Sequence, residues 1–456
     1  MKTYTGKRSW FLTSLDIFGF TNMPNFFQTS WKNKLLKVIF NRILFTGALC
    51  VMSLEVVCTF IYSIHDVAEF LQKLLESTAI LMYLTESWLC KFRQREFINL
   101  FDLQERVFTV SDQKLYNKYL WKEKMELKTV IFMNVLTICG LILETLMPVS
   151  ERTFYLMTSI YHKKHPERRL PFQIWTPNCI DSSDKGPYVG FYLLEIYALV
   201  IVVVAIFNVT VLQIFIPTPL VAQYKMFAKF VQKIGMEHRD RFGENIFYTN
   251  VSTGEYLTET ELLNYWLKNT KLEHVRADIY GATKRNSILQ CTFWKKNKYQ
   301  IFYVKKIIVR HQELNNFMNQ YHQLMNSLHC LTVIPFFIVL VLSFYQFAYL
   351  KHLPWFYSMK ILIEFLFIVG GMWHITTQSE MLNHCNEMIE KAVYNSQWYK
   401  GSPKLKHNAL LILRNARTPK YFRFLSGLAE LKYSFMLAVF KTAFSFLNFM
   451  KINGQL

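Results

Sequence analysis

The chain has 456 residues, of which 52% are apolar and 16% aromatic, and it carries a formal charge of +20 at pH 7. The apolar residues are not scattered, as in a soluble chain that divides into two or three domains, but are collected into long runs. Roughly 20 apolar residues in a helix cross a hydrocarbon core of about 30 Å. The composition therefore excludes an ordinary soluble protein and predicts an all-α, polytopic membrane protein.

Seven apolar runs follow one another along the chain and predict seven transmembrane helices. They occupy residues 38–63, 66–90, 127–149, 189–216, 325–350, 357–382 and 426–450. The second run contains Lys73, Glu76 and Glu86, so we expect one side of this helix to face protein or water.

Basic residues are concentrated in alternate segments, before the first run and after the second, fourth and sixth. Basic loops stay on the cytoplasmic side of a membrane. This pattern predicts a cytoplasmic amino terminus and an extracellular carboxyl terminus, the reverse of a G-protein-coupled receptor. It also explains the large positive charge without nucleic acid as a partner.

The predicted topology divides the chain into four parts. The first part is a cytoplasmic amino terminus at 1–37, and the second, at 38–216, holds spans one to four with an extracellular loop at 150–188. The third is a long cytoplasmic loop with helical extensions at 217–324. The fourth, at 325–456, holds spans five to seven, with a cytoplasmic segment at 383–425 and the last span as a candidate pore helix.

Two loops have a distinctive composition. The extracellular loop contains RRLPFQIWTPNCIDSSDKGPY, whose prolines and aromatic residues predict an ordered, non-helical segment. It is either a cap that restricts access to a cavity or a simple connector. The cytoplasmic loop ends in FWKKNKYQIFYVKKIIVRHQ, which could bind anionic lipid or calmodulin. A solvated helix beside the inner leaflet is the favoured reading, because charge runs are usually solvated.

No enzyme motif is present in the sequence. It has no phosphate-binding loop, no nucleophile elbow, no H-E-x-x-H and no C-x-x-C, and His311 and His374 are isolated. Neither catalysis, nor a metal, nor a cofactor is predicted.

The last run carries a polar stripe. At helical spacing, the residues that share one side are Ser434, Lys441, Ser445, Asn448 and Gln455. Such a stripe in lipid must face protein or water. It forms either a hydrogen-bonding seam between helices, which is the commoner arrangement, or the lining of an aqueous pore between several copies.

Several segments resemble the insect odorant receptor family. They are LPFQIWTPN in the extracellular loop, IIVRHQELNNFMNQYHQLMNSL before span five, AVYNSQWYK after span six, and LLILRNARTPKYFRF and LSGLAELKYSFMLAVFKTAFSFLNFM at the end. The family's tyrosine before the serine is Phe444 here, and the cytoplasmic loop is longer than in most members. The closing helix lacks the ending of the shared co-receptor, so it resembles an odour-tuning subunit. The closing signature of the related gustatory receptors is absent.

The resemblance implies a ligand-gated, non-selective cation channel of four subunits in the cell membrane of sensory neuron dendrites. The partners it implies are the co-receptor subunit, in a heterotetramer or less commonly a homotetramer, a small volatile ligand and membrane lipid. Matching the last helix to the family places the pore at Ser445, Asn448, Phe449, Ile452 and Asn453.

The family's ligand pocket lies among the outer halves of spans two, three, four and six. The positions that match are Ser77, Ile80, Leu81, Gly140, Leu143, Met147, Tyr192, Ile196, Tyr357 and Ile361. Ordinary packing between helices is an equally good explanation for each of them. A gustatory-type receptor channel is the main alternative function, and a G-protein-coupled receptor or a transporter is a weaker one.

Overall fold

The computed structural model of the chain describes residues 31–146, 149, 151–176, 181–258, 261, 296–348, 355–424, 427 and 429–452. These residues are mostly helical, and two short antiparallel hairpins are also present. The helices are α1 (Trp31–Ile61), α2 (Val67–Phe92), α3 (Gln94–Val107), α4 (Gln113–Leu146), α5 (Glu151–Tyr155), α6 (Lys185–Phe215), α7 (Pro217–Val231), α8 (Lys296–Ala348), α9 (Trp355–Tyr394), α10 (Pro403–Ala416) and α11 (Tyr433–Ile452). The strands are β1 (Ile246–Thr249), β2 (Tyr256–Thr258), β3 (Arg423–Phe424) and β4 (Ala429–Glu430). The all-α fold class is confirmed.

Each of the seven apolar runs overlaps a helix, but the bounds differ from the predicted ones. Helices α4 and α8 begin well before their runs, at Gln113 and Lys296, because apolar side chains continue along one side of each helix beyond the run. The last helix begins at Tyr433 rather than at 426. The residues before it form the β3–β4 hairpin, in which Arg423 pairs with Glu430.

Three helical segments in the described residues are long and apolar enough to cross a membrane, namely Thr46–His65, Lys185–Val204 and Ile361–Tyr394. A fourth is possible if Tyr299–Leu331 and Val333–Gln346, which meet at 41°, count as one span. Pro335 lies inside α8 just after this bend, and proline removes a helical hydrogen bond. Helix α2 is absent from this set, since it holds Lys73, Glu76 and Glu86. Seven spans and their orientation therefore stay predictions.

Helix α8 is the centre of the molecule. It packs against α2, α3, α9, α10 and α11. Tyr303, Phe317 and Tyr321, which are among the largest fully buried side chains, project from it. Helix α7 lies almost wholly inside this core. The first part of the predicted cytoplasmic loop, at 217–231, is therefore a buried helix.

Helix α8 begins within the basic, aromatic run that ends this loop. In its first turns Tyr299, Tyr303 and Ile307 are buried, whereas Lys305 is exposed. This part of the helix is thus half buried, which differs from the solvated helix that the charge pattern favoured.

Two smaller apolar clusters lie at the end of the bundle crossed by residues 151–184, which we call the loop end. One joins α1, α2 and α6 with Phe172 and Ile174 of the loop. The other joins Cys58 at the end of α1 to Leu156, Met157, Ile160 and Tyr161. The first cluster holds the loop against all three helices, and the second holds it against the end of α1. The candidate site is formed by side chains of the same three helices.

Candidate ligand site at the loop end

Polar and charged side chains of α1, α2 and α6 converge beneath the loop. The residues concerned are Glu55 on α1, Glu69, Lys73, Glu76 and Ser77 on α2, and Glu195 on α6. All but Glu76 are buried, and Glu195 and Glu55 are only 0% and 1% exposed. They meet because α2 packs against both α1 and α6, which also pack against each other.

Some groups of this cluster pair with one another through an ion pair and hydrogen bonds. The ammonium of Lys73 lies 2.7 Å from a carboxylate oxygen of Glu76, one helical turn away. The Tyr161 hydroxyl donates to Glu69 over 2.8 Å, so it must accept from the hydroxyl of Ser63, 2.9 Å away. Burial, followed by the charge of Glu69, raises the pKa of Tyr161, which keeps the phenol protonated as a donor.

The remaining polar atoms have no hydrogen-bond partner among the described residues. These atoms are the two carboxylate oxygens of Glu55, the hydroxyl oxygen of Ser77 and one carboxylate oxygen of Glu195. Ser77 lies next to Glu55, and Glu195 lies near enough to interact with it electrostatically. The second oxygen of Glu195 accepts from the backbone N–H of Phe172 at 2.8 Å. Buried polar atoms without partners are rare, and a group of them indicates a place for a further polar group.

The loop forms an ordered cover over this cluster. The N–H of Trp175 donates to the carbonyl of Leu54 over 3.1 Å, and the Tyr188 hydroxyl donates to the carbonyl of Arg169 over 3.0 Å. Lys163 donates to the Ser182 hydroxyl, and burial lowers the pKa of this lysine. Beyond the π-helical turn Leu156–Ile160, the described part of the loop is ordered and non-helical up to Asp184, as predicted. The last residues of the predicted segment, from Lys185, instead begin helix α6.

The walls around the polar atoms are apolar. Val51 and Met52 of α1, Leu84 of α2 and Ala198 of α6 are buried in one cluster, with Ile80 packed against them. A site with a few converging polar groups and apolar walls is typical of small-molecule binding sites in proteins.

The predicted pocket residues have different environments. Ser77 and Ile361 are buried, Ile80, Tyr192 and Ile196 are partly buried, and Leu81 and Gly140 are exposed. Leu143 and Tyr357 lie on α4 and α9, and Met147 lies outside the described residues. Ser77 belongs to the polar cluster, Ile80 to its apolar wall, and Ile196 follows Glu195 on α6. Leu81 and Gly140 instead face away from the interior of the chain.

The predicted pore residues lie on α11. Ser445, Asn448 and Phe449 are exposed, and the last of these has 60% of its side chain accessible. Ile452 is the final residue of the helix, and Asn453 and Gln455 lie outside the described residues. Ser434 and Lys441 are exposed as well, so the polar stripe lies along the outer side of the chain.

The sequence alone did not bring the carboxylates together. The sequence analysis named Glu76 on the second span, but nothing in the sequence predicted that it would lie near Glu55, Glu69 and Glu195. One usable signal existed: Glu69, Lys73 and Glu76 are spaced at i, i+4 and i+7, which places them on one side of a helix. Among the described residues, no group of three or more side chains is arranged to hold a metal ion.

Comparisons with known proteins agree on one family. The family model described as 7tm Odorant receptor matches residues 63–444. The fold is similar to the insect olfactory receptor OR5 from Machilis hrabei, with a TM-score of 0.65, 11% identity and 98% of each chain covered. The structure of that receptor in complex with eugenol has a TM-score of 0.67, also at 11% identity and 98% coverage of both chains. No curated protein sequence matches this chain.

The family model covers most of the chain, and the fold similarity extends over nearly all of it. The inferred resemblance is thereby confirmed, as are an all-α membrane receptor fold and a receptor rather than an enzyme. The chain belongs to the insect odorant receptor family.

Proposed function

We propose that this chain is the odour-tuning subunit of a ligand-gated, non-selective cation channel. In this proposal a small volatile molecule binds at the loop end, and α11 lines a pore between subunits. The observation that carries the channel function is the exposure of the polar stripe on α11.

Helix α11 has two distinct sides. Met436, Val439 and Ala443 are buried against the chain, whereas Ser445 and Asn448 point outward. No hydrogen bond joins the side chains of the stripe to any described residue, so the stripe is not a seam within this subunit. Polar side chains in a membrane need water or protein, and several copies of α11 around an axis supply both.

The exposed aromatic side chains of α11 support assembly with other subunits. Phe444, Phe446 and Phe449 are each about half exposed or more, and exposed apolar patches mark interaction surfaces or lipid contacts. We propose the co-receptor as the partner in a heterotetramer, with a homotetramer as the less common form. The complex would lie in the cell membrane, at sensory neuron dendrites.

The ligand part of the proposal rests on the loop-end cluster. The related receptor from Machilis hrabei was solved in complex with eugenol, a small aromatic phenol. The buried side chains of the predicted set, Ser77 and Ile361, together with Ile80, Tyr192 and Ile196, are the residues that we propose to contact a ligand of this size. Leu81 and Gly140 would affect ligand binding only indirectly, through contact with a neighbouring subunit or lipid.

Expression of the chain together with the co-receptor in cells that lack both tests the function. A panel of volatiles should evoke an inward cation current that reverses near zero millivolts, and neither subunit alone should show the same ligand profile. If the chain reaches the cell surface and no volatile changes the current, the channel function is wrong. A response that disappears when G proteins are inhibited would favour a G-protein-coupled receptor instead.

A further inference from the structure

We propose that the loop-end site selects small protonated amines, whose ammonium group binds between Glu55, Ser77 and Glu195. This inference rests on the proposed function, since it names the ligand class of the same site. It follows from the atoms that the fold leaves without partners at that place.

The unpartnered atoms are acceptors. Both oxygens of Glu55 and one of Glu195 can only accept when ionised, and the hydroxyl of Ser77 can accept through its lone pairs. These three residues come from three different helices and are at least nine-tenths buried. An ammonium group carries three donors and no acceptor, so it matches this set better than an alcohol, an ester or a ketone.

The local charge also favours a cation. Glu55, Glu69, Glu76 and Glu195 face two ammonium groups among the described residues, those of Lys73 and Lys163. Lys73 is bound to Glu76, and Lys163 donates to Ser182 in the loop. Neither lysine hydrogen-bonds to Glu55 or Glu195 among the described residues, so these two carboxylates have acceptor capacity left for a bound cation. Buried carboxylates require such compensation.

The apolar wall fits the rest of such a ligand. Ile80, Leu84 and Ala198 line the side of the cluster towards the membrane interior, and Phe172 covers it from the loop. A volatile amine has a small hydrocarbon part beside its ammonium group. The cluster therefore offers apolar side chains for the first and acceptors for the second. Its acceptor oxygens are closed to solvent, so binding requires the surrounding side chains to move apart.

Paired ligands of equal shape test the inference in cells that express the chain with the co-receptor. 2-Phenylethylamine and 2-phenylethanol differ only in the terminal group. With the unaltered chain, the amine should evoke a current at a concentration about 10- to 100-fold lower than the alcohol, the range expected for a charged hydrogen bond. Glu55→Gln and Glu195→Gln should abolish this difference by weakening the amine response alone.

Matched controls separate the site from general damage. Ser77→Ala removes a buried acceptor, whereas Ser53→Ala changes an exposed serine on α1, so only the first should weaken the amine response. Glu151→Gln changes an exposed carboxylate at the same end and should have no effect. Surface labelling shows which variants reach the membrane.

The outcomes are distinguishable. If alcohols and esters evoke currents but the amine has no advantage with the unaltered chain, the amine inference is overturned and the channel function stands. The same conclusion follows if Glu55→Gln and Glu195→Gln reach the surface and leave the amine preference intact. If no volatile of any class evokes a current, the proposed function itself is wrong.

Discussion

His238 connects three elements through a defined arrangement of protons. Its Nε2 lies 2.9 Å from the carbonyl oxygen of Lys233, which only accepts, so Nε2 carries the proton. Its Nδ1 must then accept from the hydroxyl of Tyr299, 2.7 Å away. The Tyr299 oxygen in turn accepts from Thr249, 2.9 Å away. The end of α7, the start of α8 and strand β1 are thus joined by a chain that requires a neutral imidazole.

This arrangement predicts a pH dependence. Burial lowers the pKa of His238 below its ordinary value of 6.5. A base with a depressed pKa stabilises the fold above its unfolded pKa, and this contribution is lost as the pH falls through the folded pKa. Amide hydrogen exchange in strands β1 and β2, corrected for intrinsic rates, should therefore increase on acidification from about pH 7.5 to pH 5. In His238→Gln the increase should be much smaller, and equal increases in both proteins would contradict the assignment.

At the scale of secondary-structure elements, Arg310 links α8 to α7 and to the segment between α3 and α4. Arg310 is 5% exposed. It donates to Gln223 on α7 at 3.1 Å and to the Thr109 hydroxyl at 3.3 Å. Gln223 also donates to the Thr109 carbonyl at 2.7 Å, and Thr109 donates to Ser252 near the β1–β2 turn. One buried cation therefore joins α8 directly to α7 and to the α3–α4 segment, and Thr109 extends this network to the β1–β2 turn.

Removal of this cation should loosen the packing of α3, α7 and α8. We expect Arg310→Met to lower the free energy of unfolding by roughly 2–4 kcal/mol, because it leaves buried acceptors without donors. The melting temperature of the purified protein in detergent measures this loss. Glu313, which also pairs with Arg310, has a side chain that is 46% exposed. Glu313→Gln should accordingly cost less than about 1 kcal/mol, and an equal loss in both variants would count against the buried network.

Charged substitutions on helix α11 test whether this helix lines the pore. Asn448 lies on its exposed side, so a charge there acts on passing ions if this side faces the pore. We expect Asn448→Asp to increase the relative permeability to divalent cations and Asn448→Lys to reduce cation current, because rings of charge set selectivity in cation pores. Reversal potentials in mixed solutions measure both. Asn448→Ala provides the uncharged control, and identical reversal potentials in all four proteins would remove α11 of this subunit from the pore lining.

At the scale of the whole molecule, the orientation in the membrane is the first property to test. An epitope tag at the amino terminus should stain only after permeabilisation, and one at the carboxyl terminus should stain on intact cells, because basic loops remain in the cytoplasm. Both tags are read on the same cells with a cytosolic marker as the control for leakage. Amino-terminal staining of intact cells would reverse the topology and put the loop end of the bundle inside the cell.

The sequence predicted the fold class and the family, but it could not assign the site. Apolar runs and short motifs are local signals, and they correctly indicated a helical membrane receptor of this family. The side that each helix turns inward depends on its neighbours. Ser77 and Leu81 were therefore placed in one pocket although the structure buries the first and exposes the second. Glu55 and Glu195 lie far apart in the sequence, and only the packing of α1 against α6 brings them together.

The ion pair on α2 has a consequence for the insertion of this helix into the membrane during synthesis. Lys73 and Glu76 are one turn apart on the same helix, so their pairing needs no other part of the chain. We expect it to form once the nascent segment is helical, because the spacing alone brings the two groups together. The segment can then pass from the translocon into lipid with its two charges paired, which lowers the free-energy cost of moving them into the membrane. Among the described residues, neither Glu55 nor Glu195 has an ion-pair partner on its own helix, so their charges are not neutralised within a single helical segment.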